Sequence, residues 1–514
     1  MSGDPATLWE AFEHAAGAAP EGAALVLDER TVTFSALRRD AERVAGWLAS
    51  RHVGRGSVVA IQLPKRHETY AIWLACLRQG AIYVFLDPRN PAVRTASIHG
   101  QLKPKVFFTG GEEANPFGET VRLADAVAGA EWLAALPATA PGSPARVHGL
   151  DPAYIMFTSG STGEPKGAVI PQQGVLSLMA WVRRSILPEG EARFSNINPL
   201  HFDNAVFDLY GGLLNGATLV PVETSEAANP LVWVKKLRAG RANVIFAVPT
   251  LFQTLQRLRL LSAQSMPDAR VFVFGGEGFP AAALRAFRAA FEGDTRLVNV
   301  YGPTETSCIC SSLEIDGAAL AAAGEGFASL GRMHEGFAHL ILDEDEAPAA
   351  RGATGELWIG GANVGLGYVA NADETARRFR QNPTDARFRS IWYRTGDLVR
   401  EDEAGLLWFA GRVDNQVKVR GHRIELEEID LALEALAGVT RAATVARSGP
   451  DGPQLCAAYS ASGPVGDEAL RSHCASRLPP YMRPERFLVL DVLPQNANGK
   501  INRKAVASLF EADS

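Results

Sequence analysis

Short apolar runs rich in β-branched residues alternate with helix-like segments through most of this 514-residue chain. The clearest example is the run Ser57–Leu63, followed by a helical pattern over His67–Gln79 that ends at Gly80. Such alternation predicts βαβ units, in which parallel strands pair and the connecting helices cover the sheet. Further strands are predicted at Ala81–Leu86, Lys105–Thr109, Tyr154–Thr158, Ala217–Val222, Asn243–Val248, Arg270–Phe274 and Leu297–Val300.

Two local signals refine this pattern. Ser35 is a favourable N-cap residue and predicts the start of a helix. The apolar positions that would share one face of this helix are Leu37, Ala41, Val44 and Leu48. The segment 114–152 is rich in Ala, Pro and Gly, and we expect it to be a surface excursion.

The pattern changes after Gly355, where strand-like runs are separated by glycine-rich turns. From Arg412 it restarts, with a charged strand or hairpin over Val417–Arg423 and a helix over Leu426–Ala437. We therefore expect an α/β fold with a domain boundary near residues 412–415. The predicted domains are an N-terminal core of residues 1–413 and a C-terminal domain of residues 414–514.

Composition excludes several classes of protein. The net charge of −6, without a basic stripe, argues against a nucleic-acid-binding surface. The N-terminus has no signal-peptide pattern, and no apolar run reaches the length of a membrane span. The cysteines lack the spacing of a disulfide framework, which favours a reduced, cytoplasmic protein; they are Cys76, Cys308, Cys310, Cys456 and Cys474.

A hydroxyl- and glycine-rich loop with one lysine, Phe157–Gly167, follows a predicted strand. Small residues allow backbone N–H groups to turn toward an anion, and Lys166 adds a positive charge. The residue before Lys166 is Pro165, so the loop is not a Walker A motif. Although such loops are often simple turns, this density of donors favours a polyphosphate, most simply ATP.

Four further segments carry residues suited to nucleotide chemistry. In Asn299–Thr306, the turn Gly302-Pro303 ends a strand, Tyr301 offers a ring for stacking, and Glu305 offers a carboxylate for Mg²⁺. Asp397 follows a glycine turn and suits the two hydroxyls of a ribose, although it could equally cap a turn. The remaining two are the segment 411–421 and the segment 494–501 with Lys500.

Taken in this order, the five segments resemble the core motifs of the ANL superfamily, which contains acyl-CoA synthetases, adenylation domains of nonribosomal peptide synthetases and luciferases. The resemblance covers nearly the whole chain. It implies a large N-terminal domain of two helix-flanked β-sheet subdomains plus a small β-barrel, and a mobile α+β C-terminal domain. It also implies an AMP-forming ligase that uses ATP and Mg²⁺.

The resemblance implies a role for each matched residue. Lys166, Thr304, Glu305 and Lys500 would be catalytic, and Glu305 would hold the metal ion. Asp414 would be the hinge of the C-terminal domain, and Lys418 and Gly421 would serve the thioester-forming stage. The implied ATP-binding residues are Thr158, Ser159, Gly160, Ser161, Thr162, Gly163, Lys166, Gly275, Gly276, Glu277, Asn299, Tyr301, Gly302, Thr304, Asp397, Arg412 and Lys500.

The segment Pro199–Tyr210 looks like the part of amino-acid-activating members that carries an aspartate for the substrate ammonium. Asp203 is the matching residue, and the alternative is that it caps a helix over residues 204–214. The other residues that the resemblance places around the acyl group are Asn204, Phe207, Phe246, Val273, Gly275, Val300, Cys308 and Ile309. This lining suits an aliphatic α-amino acid or a β-amino acid.

No carrier-protein motif follows Lys500 in the sequence. The resemblance therefore implies a stand-alone enzyme that adenylates an amino acid and loads it onto the phosphopantetheine thiol of a separate carrier protein in natural-product biosynthesis. The alternatives are an acyl-CoA ligase that acts on a simple carboxylic acid, or a non-catalytic protein that keeps the fold. A dinucleotide-binding dehydrogenase is disfavoured because the glycine clusters lack the required spacing.

Overall fold

The computed structural model describes residues 4–28, 30–138, 142–227, 229–291, 293–449, 452–496 and 501–511. The chain forms two compact units. Unit 1 consists of Met1–Pro88, Leu102–Met156 and Gly167–Val413. Unit 2 consists of Arg89–Gln101, Phe157–Lys166 and Asp414–Ser514.

Most strands are short and lie between helices, as the alternating sequence pattern predicts. The strands are β1 (Ala23–Val26), β2 (Thr31–Thr33), β3 (Val58–Gln62), β4 (Ile82–Phe85), β5 (Val106–Thr109), β6 (Glu119–Arg122), β7 (Pro152–Thr158), β8 (Lys166–Pro171), β9 (Arg193–Asn196), β10 (Thr218–Pro221), β11 (Val244–Ala247), β12 (Val271–Gly275), β13 (Arg296–Tyr301), β14 (Ser311–Glu314), β15 (Arg332–Met333), β16 (Phe337–Leu342), β17 (Gly355–Gly361), β18 (Phe379–Gln381), β19 (Ile391–Glu401), β20 (Leu407–Arg412), β21 (Gln416–Val419), β22 (His422–Glu425), β23 (Val439–Gly449), β24 (Gly452–Ala461) and β25 (Arg486–Val489).

The helices connect these strands. They are α1 (Leu8–Ala18), α2 (Phe34–Ser50), α3 (His67–Gln79), α4 (Ala92–Leu102), α5 (Ala126–Ala135), α6 (Gln172–Ser185), α7 (Asn204–Val206), α8 (Thr224–Ala227), α9 (Pro230–Ala239), α10 (Pro249–Arg257), α11 (Ala281–Ala290), α12 (Gly317–Ala323), α13 (Ala372–Arg378), α14 (Leu426–Glu434), α15 (Asp467–Arg477) and α16 (Arg503–Glu511). A π-helix (Phe207–Gly212) follows α7 directly, and short 3₁₀ turns occur at Leu213–Asn215, Thr304–Thr306 and Pro480–Met482.

A nine-stranded sheet in unit 1 has the order β15-β14-β13-β12-β11-β9-β10-β1-β2. The strands from β13 to β1 in this order are parallel, and the edge strands are antiparallel. Because parallel strands end at one edge, the turns after β11, β12 and β13 lie side by side. Ligand crevices of α/β sheets form at this edge.

Two further sheets complete the larger unit. A six-stranded sheet has the order β6-β5-β3-β4-β7-β8 and contains parallel pairs of short apolar strands. An antiparallel sheet runs β16-β17-β19-β18, with β20 paired to β19. Two buried hydrophobic clusters cover the nine-stranded sheet, one containing Phe207 and Phe246 and the other Phe252 and Phe272.

Unit 2 contains the three-stranded sheet β23-β24-β25 and the hairpin β21–β22. Helix α14 buries Ile429 and Leu433 in a hydrophobic cluster with Leu455 and Tyr459 of strand β24. The α/β fold class with a large N-terminal and a smaller C-terminal domain, as predicted, is therefore confirmed.

One local prediction is wrong. Helix α2 begins one residue before Ser35, and its N-cap is Thr33, whose side chain accepts a hydrogen bond from the Ala36 amide. Most described residues of the predicted surface excursion are exposed or partly exposed, but the segment also contains two regular elements that were not predicted, β6 and α5. Strand β6 extends the six-stranded sheet in parallel with β5, and Asp125 caps α5 by accepting from Ala128 N.

Candidate active site

Neighbouring parallel strands bring most of the predicted acyl-group residues together. Phe246 on β11 is paired with Val273 on β12, and Gly275 on β12 is paired with Val300 on β13. The Phe207 ring contacts the Phe246 ring edge to face, with 4.9 Å between the ring centroids. Residues from three strands and the π-helix thus form one aromatic and aliphatic cluster in unit 1.

Two positions at the carboxyl edge of the sheet favour glycine, Gly275 because of a close backbone approach and Gly276 because of its backbone conformation. A Cβ on Gly275 would lie 2.5 Å from the carbonyl oxygen of Val300. Gly276 has a positive φ of 86°, a conformation that favours glycine. The side-chain amide of Asn204 lies 3.8 Å from where a Cβ on Gly276 would stand, so Asn204 belongs to the same region.

Asp203 does not act as a helix cap. It precedes α7, but its side chain makes no capping hydrogen bond and its backbone is already helical, with φ −64° and ψ −25°. Its carboxylate instead accepts a hydrogen bond of 2.5 Å from the hydroxyl of Thr304. The specificity segment and the turn after β13 therefore meet at these two side chains, and the alternative helix-cap interpretation of Asp203 is wrong.

A strained turn directs the next two predicted pocket residues. Ser307 and Cys308 both have positive φ angles, 62° and 79°, which are uncommon for residues with a side chain. Cys308 and Ile309 are both buried. Burial, reinforced by the negative charge of Asp203, raises the pKa of the Cys308 thiol well above its ordinary value. The thiol is therefore neutral and inert rather than nucleophilic.

Glu305 is fully buried, and its Oε1 accepts a hydrogen bond of 2.6 Å from the Tyr368 hydroxyl. The Gly365 amide donates to the Glu305 carbonyl over 2.7 Å, which fixes the backbone of the same residue. Among the described residues, no cluster of three or more Asp, Glu, His or Cys side chains could hold a metal ion alone. A single oriented carboxylate fits Mg²⁺, because this ion is usually shared between one or two carboxylates and the phosphates of a substrate.

Asp397 is held from both sides. The Tyr301 hydroxyl donates to its Oδ2 over 2.6 Å, and Arg412 forms an ion pair with its Oδ1. Burial and the negative charge of Asp397 raise the pKa of Tyr301 well above its ordinary value, so the phenol remains a hydrogen-bond donor. Since a carboxylate has about four lone-pair sites, it can still accept hydrogen bonds from two hydroxyls.

Two predicted ATP-binding residues have structural hydrogen bonds within unit 1. The Asn299 side-chain amide donates to the Ser329 carbonyl over 2.7 Å. The Glu277 carboxylate accepts hydrogen bonds from the amide and the hydroxyl of Thr250. A Cβ on Gly302 would lie 2.2 Å from the Cys308 carbonyl oxygen, so this turn also requires glycine.

The glycine-rich loop belongs to unit 2, where it contacts two carboxylates. Lys166 Nζ lies 3.1 Å from Glu425 Oε1, and both side chains are 2% exposed. The Gly160 amide donates to Glu428 Oε2 over 2.9 Å. A loop predicted to bind phosphate oxygens thus holds carboxylate oxygens at its lysine and at one of its amides.

Backbone contacts complete the loop. The Ser159 hydroxyl donates to the Arg423 carbonyl and accepts from the Glu425 amide, both at 3.0 Å. The Thr158 hydroxyl lies 3.4 Å from the Lys166 carbonyl, and Gly163 closes the turn with a φ of 85°. Ser161 is partly exposed and Thr162 is exposed at its tip.

The predicted thioester-stage residues lie on the β21–β22 hairpin. Lys418 is exposed and stands opposite Arg423 in the register of the two strands. Arg420 and Gly421 form a two-residue turn with positive φ at both positions, as in a type I′ hairpin. Asp414, the predicted hinge residue, is partly buried, and its carboxylate lies 3.4 Å from the Gln416 amide. Lys500 lies outside the described residues.

Sequence analysis missed a buried polar network behind the acyl region. Lys65 is 5% exposed and donates three hydrogen bonds of 2.7–2.9 Å to the carbonyl oxygens of Asn196, Ile197 and Val222. Asp208, on the π-helix, is fully buried and accepts from the side chains of Asn196 and Asn198. Burial lowers the pKa of Lys65 to about 8 and raises that of Asp208.

Sequence signals could have revealed two of the residues that were missed, Lys65 and Tyr368. Lys65 follows Pro64 directly after a buried strand, in a chain where arginine is the commoner basic residue. Tyr368, the partner of Glu305, follows the glycine-rich run Gly365-Leu366-Gly367, which is typical of close backbone approach. Asp208 had no such signal, because an aspartate in a helical segment usually lies at the surface.

Comparisons with known proteins show the family to which the chain belongs. Residues 12–369 match the family of AMP-binding enzymes, and residues 428–500 match the AMP-binding enzyme C-terminal domain. The chain therefore belongs to the AMP-binding enzyme family within the ANL superfamily.

The chain is 32% identical to the L-proline–(L-prolyl-carrier protein) ligase of Pseudomonas fluorescens, over 98% of this chain and 99% of that protein. It is 33% identical to tyrocidine synthase 3 of Brevibacillus parabrevis over 99% of this chain, but it spans only 8% of that protein. A solved NRPS protein that contains adenylation and PCP domains is 27% identical, with a TM-score of 0.81 over 97% of this chain and 84% of that one.

Every cysteine of the chain is buried and outside any disulfide. The helices of the described residues include none that is both long and apolar enough to cross a membrane.

Proposed function

We propose that this protein is an AMP-forming ligase, which activates an amino acid as its aminoacyl-adenylate and transfers the aminoacyl group to the phosphopantetheine thiol of a carrier protein. In the first step a carboxylate oxygen of the amino acid attacks the α-phosphorus of ATP, and the bond to pyrophosphate breaks. In the second step the thiol attacks the acyl carbonyl, loses its proton, and AMP leaves. The substrate is an aliphatic α-amino acid or a β-amino acid.

The observation that carries this proposal is the hydrogen bond between Thr304 and Asp203. It keeps a partly buried carboxylate beside the turn that is predicted to hold the α-phosphate. A substrate ammonium that pairs with Asp203 would therefore have its own carboxylate near the reacting phosphorus. Ion pairing in a partly desolvated site favours amino acids strongly over acids that lack the amine.

The remaining proposed roles follow from the shape of an aromatic ring and from charge. Tyr301 stacks on adenine, and Asp397, held by Arg412, accepts the ribose hydroxyls. Lys166 and Lys500 neutralise the negative charge that develops on the phosphates and the substrate carboxylate. Glu305 is the residue that would hold Mg²⁺, which supplies additional neutralisation of the phosphates when bound.

The acceptor in the second step is proposed from the relatives. The Pseudomonas protein is named as a carrier-protein ligase, and the chain covers 99% of it. Movement of the C-terminal domain about Asp414 would bring Lys418 and Gly421 toward the adenylate for thioester formation. Such a change of conformation allows one site to perform two different reactions.

ATP–pyrophosphate exchange over a panel of α-amino acids, β-amino acids and matched acids without an amine tests the first step. We expect exchange with amino acids only, and a loss of at least about a hundredfold in Asp203→Asn, because the variant no longer carries the charge that pairs with the ammonium. Asp316→Asn is the matched control. Asp316 caps α12 at the surface of the same unit, and asparagine caps equally well.

Exchange that responds only to acids without an amine would contradict the proposal and would favour an acyl-CoA ligase. A second assay separates the acceptors by offering holo-carrier protein or coenzyme A to the preformed adenylate. Lys500→Ala should abolish exchange while ATP still binds, and the nearby exposed Lys504→Ala should not. Unchanged turnover in Lys500→Ala would remove Lys500 from the mechanism.

A further inference from the structure

Side chains, rather than a neighbouring strand, hold the main chain of Phe246 on the side that faces β9. Strand β11 pairs with β9 where Val244 stands opposite Phe194. Further along β11, the Phe246 amide donates to the Ser195 hydroxyl over 3.1 Å, and the Phe246 carbonyl accepts from Asn198 Nδ2 over 3.0 Å. The position of Phe246, which is predicted to surround the acyl group, therefore depends on these polar side chains.

Asn198 also connects Phe246 to the π-helix. Its Nδ2 lies 3.3 Å from Asp208 Oδ2, and Asn196 Nδ2 donates to the same oxygen over 3.1 Å. Asp208 directly follows Phe207, the first residue of the π-helix. One buried amide group thus joins the residue after Phe207 to the carbonyl of Phe246, and the rings of these two phenylalanines are in contact.

The segment that carries Phe207 is not a uniform helix. It changes from α to π at residue 207 and from π to 3₁₀ at residue 213. Because each helix type spaces its side chains differently, side-chain contacts are needed to fix which way this segment faces. Asp208 provides one such contact, and Tyr210 provides another, since its hydroxyl donates to the hydroxyl of Tyr83 over 2.8 Å.

Stability alone does not explain an aspartate at this position. Asp208 is fully buried, and its Oδ1 has no hydrogen-bond partner among the residues that the structure describes. Burying a carboxylate is costly, and apolar residues of similar volume often stabilise a protein as well as a buried ionic network does. Buried polar networks can, however, specify one arrangement of the groups around them.

We propose that Asn198 and Asp208 are positioning residues that set the spacing between Phe207 and Phe246, and thereby the width of the site for the acyl group. Both act through these two aromatic residues. Without their hydrogen bonds the rings are free to separate, so the site fits its preferred amino acid less closely and discriminates less between side chains of different size. This inference rests on the proposed function, because it concerns the same amino-acid substrate.

Pyrophosphate exchange of Asn198→Leu tests this role, because leucine has a similar shape but donates no hydrogen bond. The probes are the α- and β-forms of alanine, leucine and phenylalanine. We expect the preference for the best amino acid over those of other sizes, measured as a ratio of kcat/KM, to fall about tenfold. KM for that amino acid should rise about tenfold, while KM for ATP stays unchanged.

Asn243→Leu is the matched control, because Asn243 joins the same two strands at their opposite ends. Its Oδ1 accepts from the Arg193 amide over 2.8 Å, and its Nδ2 donates to the Glu191 carbonyl over 2.7 Å. The control therefore also loses two side-chain hydrogen bonds, but far along the strands from Phe246. It should leave the preference and both KM values unchanged, even where urea unfolding shows reduced stability.

Two variants of Asp208 test the second positioning residue. Asp208→Asn keeps an oxygen that can accept from both amides and should retain the preference, whereas Asp208→Leu should lose it. Should Asn198→Leu fail to fold, Asn198→Ser takes its place, because serine is too short to contact Asp208 and Phe246 together.

Three results would overturn the inference and leave the proposed function intact. They are a wild-type preference in a folded Asn198→Leu or Asn198→Ser enzyme, an equal loss of preference in Asn243→Leu, and a wild-type preference in folded Asp208→Leu. Absence of exchange with every amino acid in the wild-type enzyme would overturn both the inference and the proposed function.

Discussion

The hydroxyl of Thr304 donates a hydrogen bond of 2.5 Å to the carboxylate of Asp203, although the two residues are 101 positions apart in the chain. Asp203 lies at the start of α7, and Thr304 lies in the turn that ends β13. The bond therefore joins the segment predicted to choose the substrate to the segment predicted to hold the α-phosphate.

Removing this donor should impair adenylation. In Thr304→Val the shape is kept and the hydroxyl is lost, so Asp203 has one fewer group to orient it. A hydrogen bond to a charged group contributes roughly 1.5–3 kcal/mol, which corresponds to a fall in kcat/KM for the amino acid of about 10- to 100-fold. Thr304→Ser keeps the hydroxyl and should stay within a few-fold of the wild type in the exchange assay. Equal losses in the two variants would assign the effect to packing instead.

The contact between Tyr301 and Asp397 predicts a different kinetic effect. Tyr301→Phe removes the 2.6 Å hydrogen bond that orients the proposed ribose-binding carboxylate but keeps the ring. We expect KM for ATP to rise by about tenfold, with little change in KM for the amino acid. Tyr459→Phe, which removes a 3.0 Å hydrogen bond to Val465 in unit 2, is the control and should change neither constant. A rise confined to KM for the amino acid would contradict the role of Asp397.

The ion pair between Lys166 and Glu425 predicts competition between a carboxylate and a phosphate. Glu425→Gln keeps the shape of the side chain and removes its negative charge, so Glu425 no longer offsets the positive charge of Lys166. We expect KM for MgATP to fall, while the free energy of unfolding drops by about 2 kcal/mol because the buried ion pair is lost. Urea unfolding and exchange kinetics measure the two effects. Glu468→Gln, an exposed residue on α15, should alter neither, and an increased KM in Glu425→Gln would reject the competition.

The sheets could be predicted from sequence because buried parallel strands are continuous runs of β-branched and aromatic residues. Strand β6 was missed for the converse reason: three of its four residues are polar, and all four are partly or fully exposed, so no apolar run marks them. The start of α2 was misplaced because Thr33 and Ser35 are both suitable caps. The hydroxyl of Thr33, 3.2 Å from the Ala36 amide, is the one that caps the helix.

Site residues in glycine-rich motifs could be named from sequence, but their contacts could not. Tyr301 with Asp397, and Glu305 with Tyr368, are pairs separated by 96 and 63 positions, and only the folded sheets bring them together. Asp203 had two sequence interpretations, cap or ligand, because the same carboxylate suits both. The Asp203 carboxylate accepts a hydrogen bond from Thr304 and makes no capping hydrogen bond to α7. The structure therefore excludes the helix-cap interpretation.

The buried network around Lys65 predicts a large loss of stability on truncation. Lys65→Met leaves three backbone carbonyls without their donor and removes the positive charge that opposes Asp208. Removing one partner of a buried charged network costs about 3–5 kcal/mol. Chemical unfolding of Lys65→Met and of Lys235→Met, an exposed lysine on α9, measures the difference. A loss of unfolding free energy below about 1 kcal/mol in Lys65→Met would show that the network makes little net contribution to stability.

His334 predicts a specific dependence of stability on pH. Its pKa is about 4 in the folded chain, below the ordinary value of 6.5, because burial and the charge of Arg184 disfavour the imidazolium. Between pH 6.5 and pH 4 the unfolded chain therefore binds a proton that the folded chain does not. The stability contributed by neutral His334 is complete above about pH 6.5 and is lost as the pH falls toward 4, by up to about 1.4 kcal/mol per pH unit.

Replacing this group should flatten that part of the stability curve. His334→Phe keeps an aromatic ring against Trp181 but cannot take up a proton. We expect the difference in unfolding free energy between wild type and variant to shift in favour of the variant as the pH is lowered from 6.5 to 4. His14→Gln, an exposed histidine on α1, is the control and should leave the slope unchanged. Parallel curves for wild type and His334→Phe across this range would contradict a lowered pKa of the imidazole that stacks on Trp181.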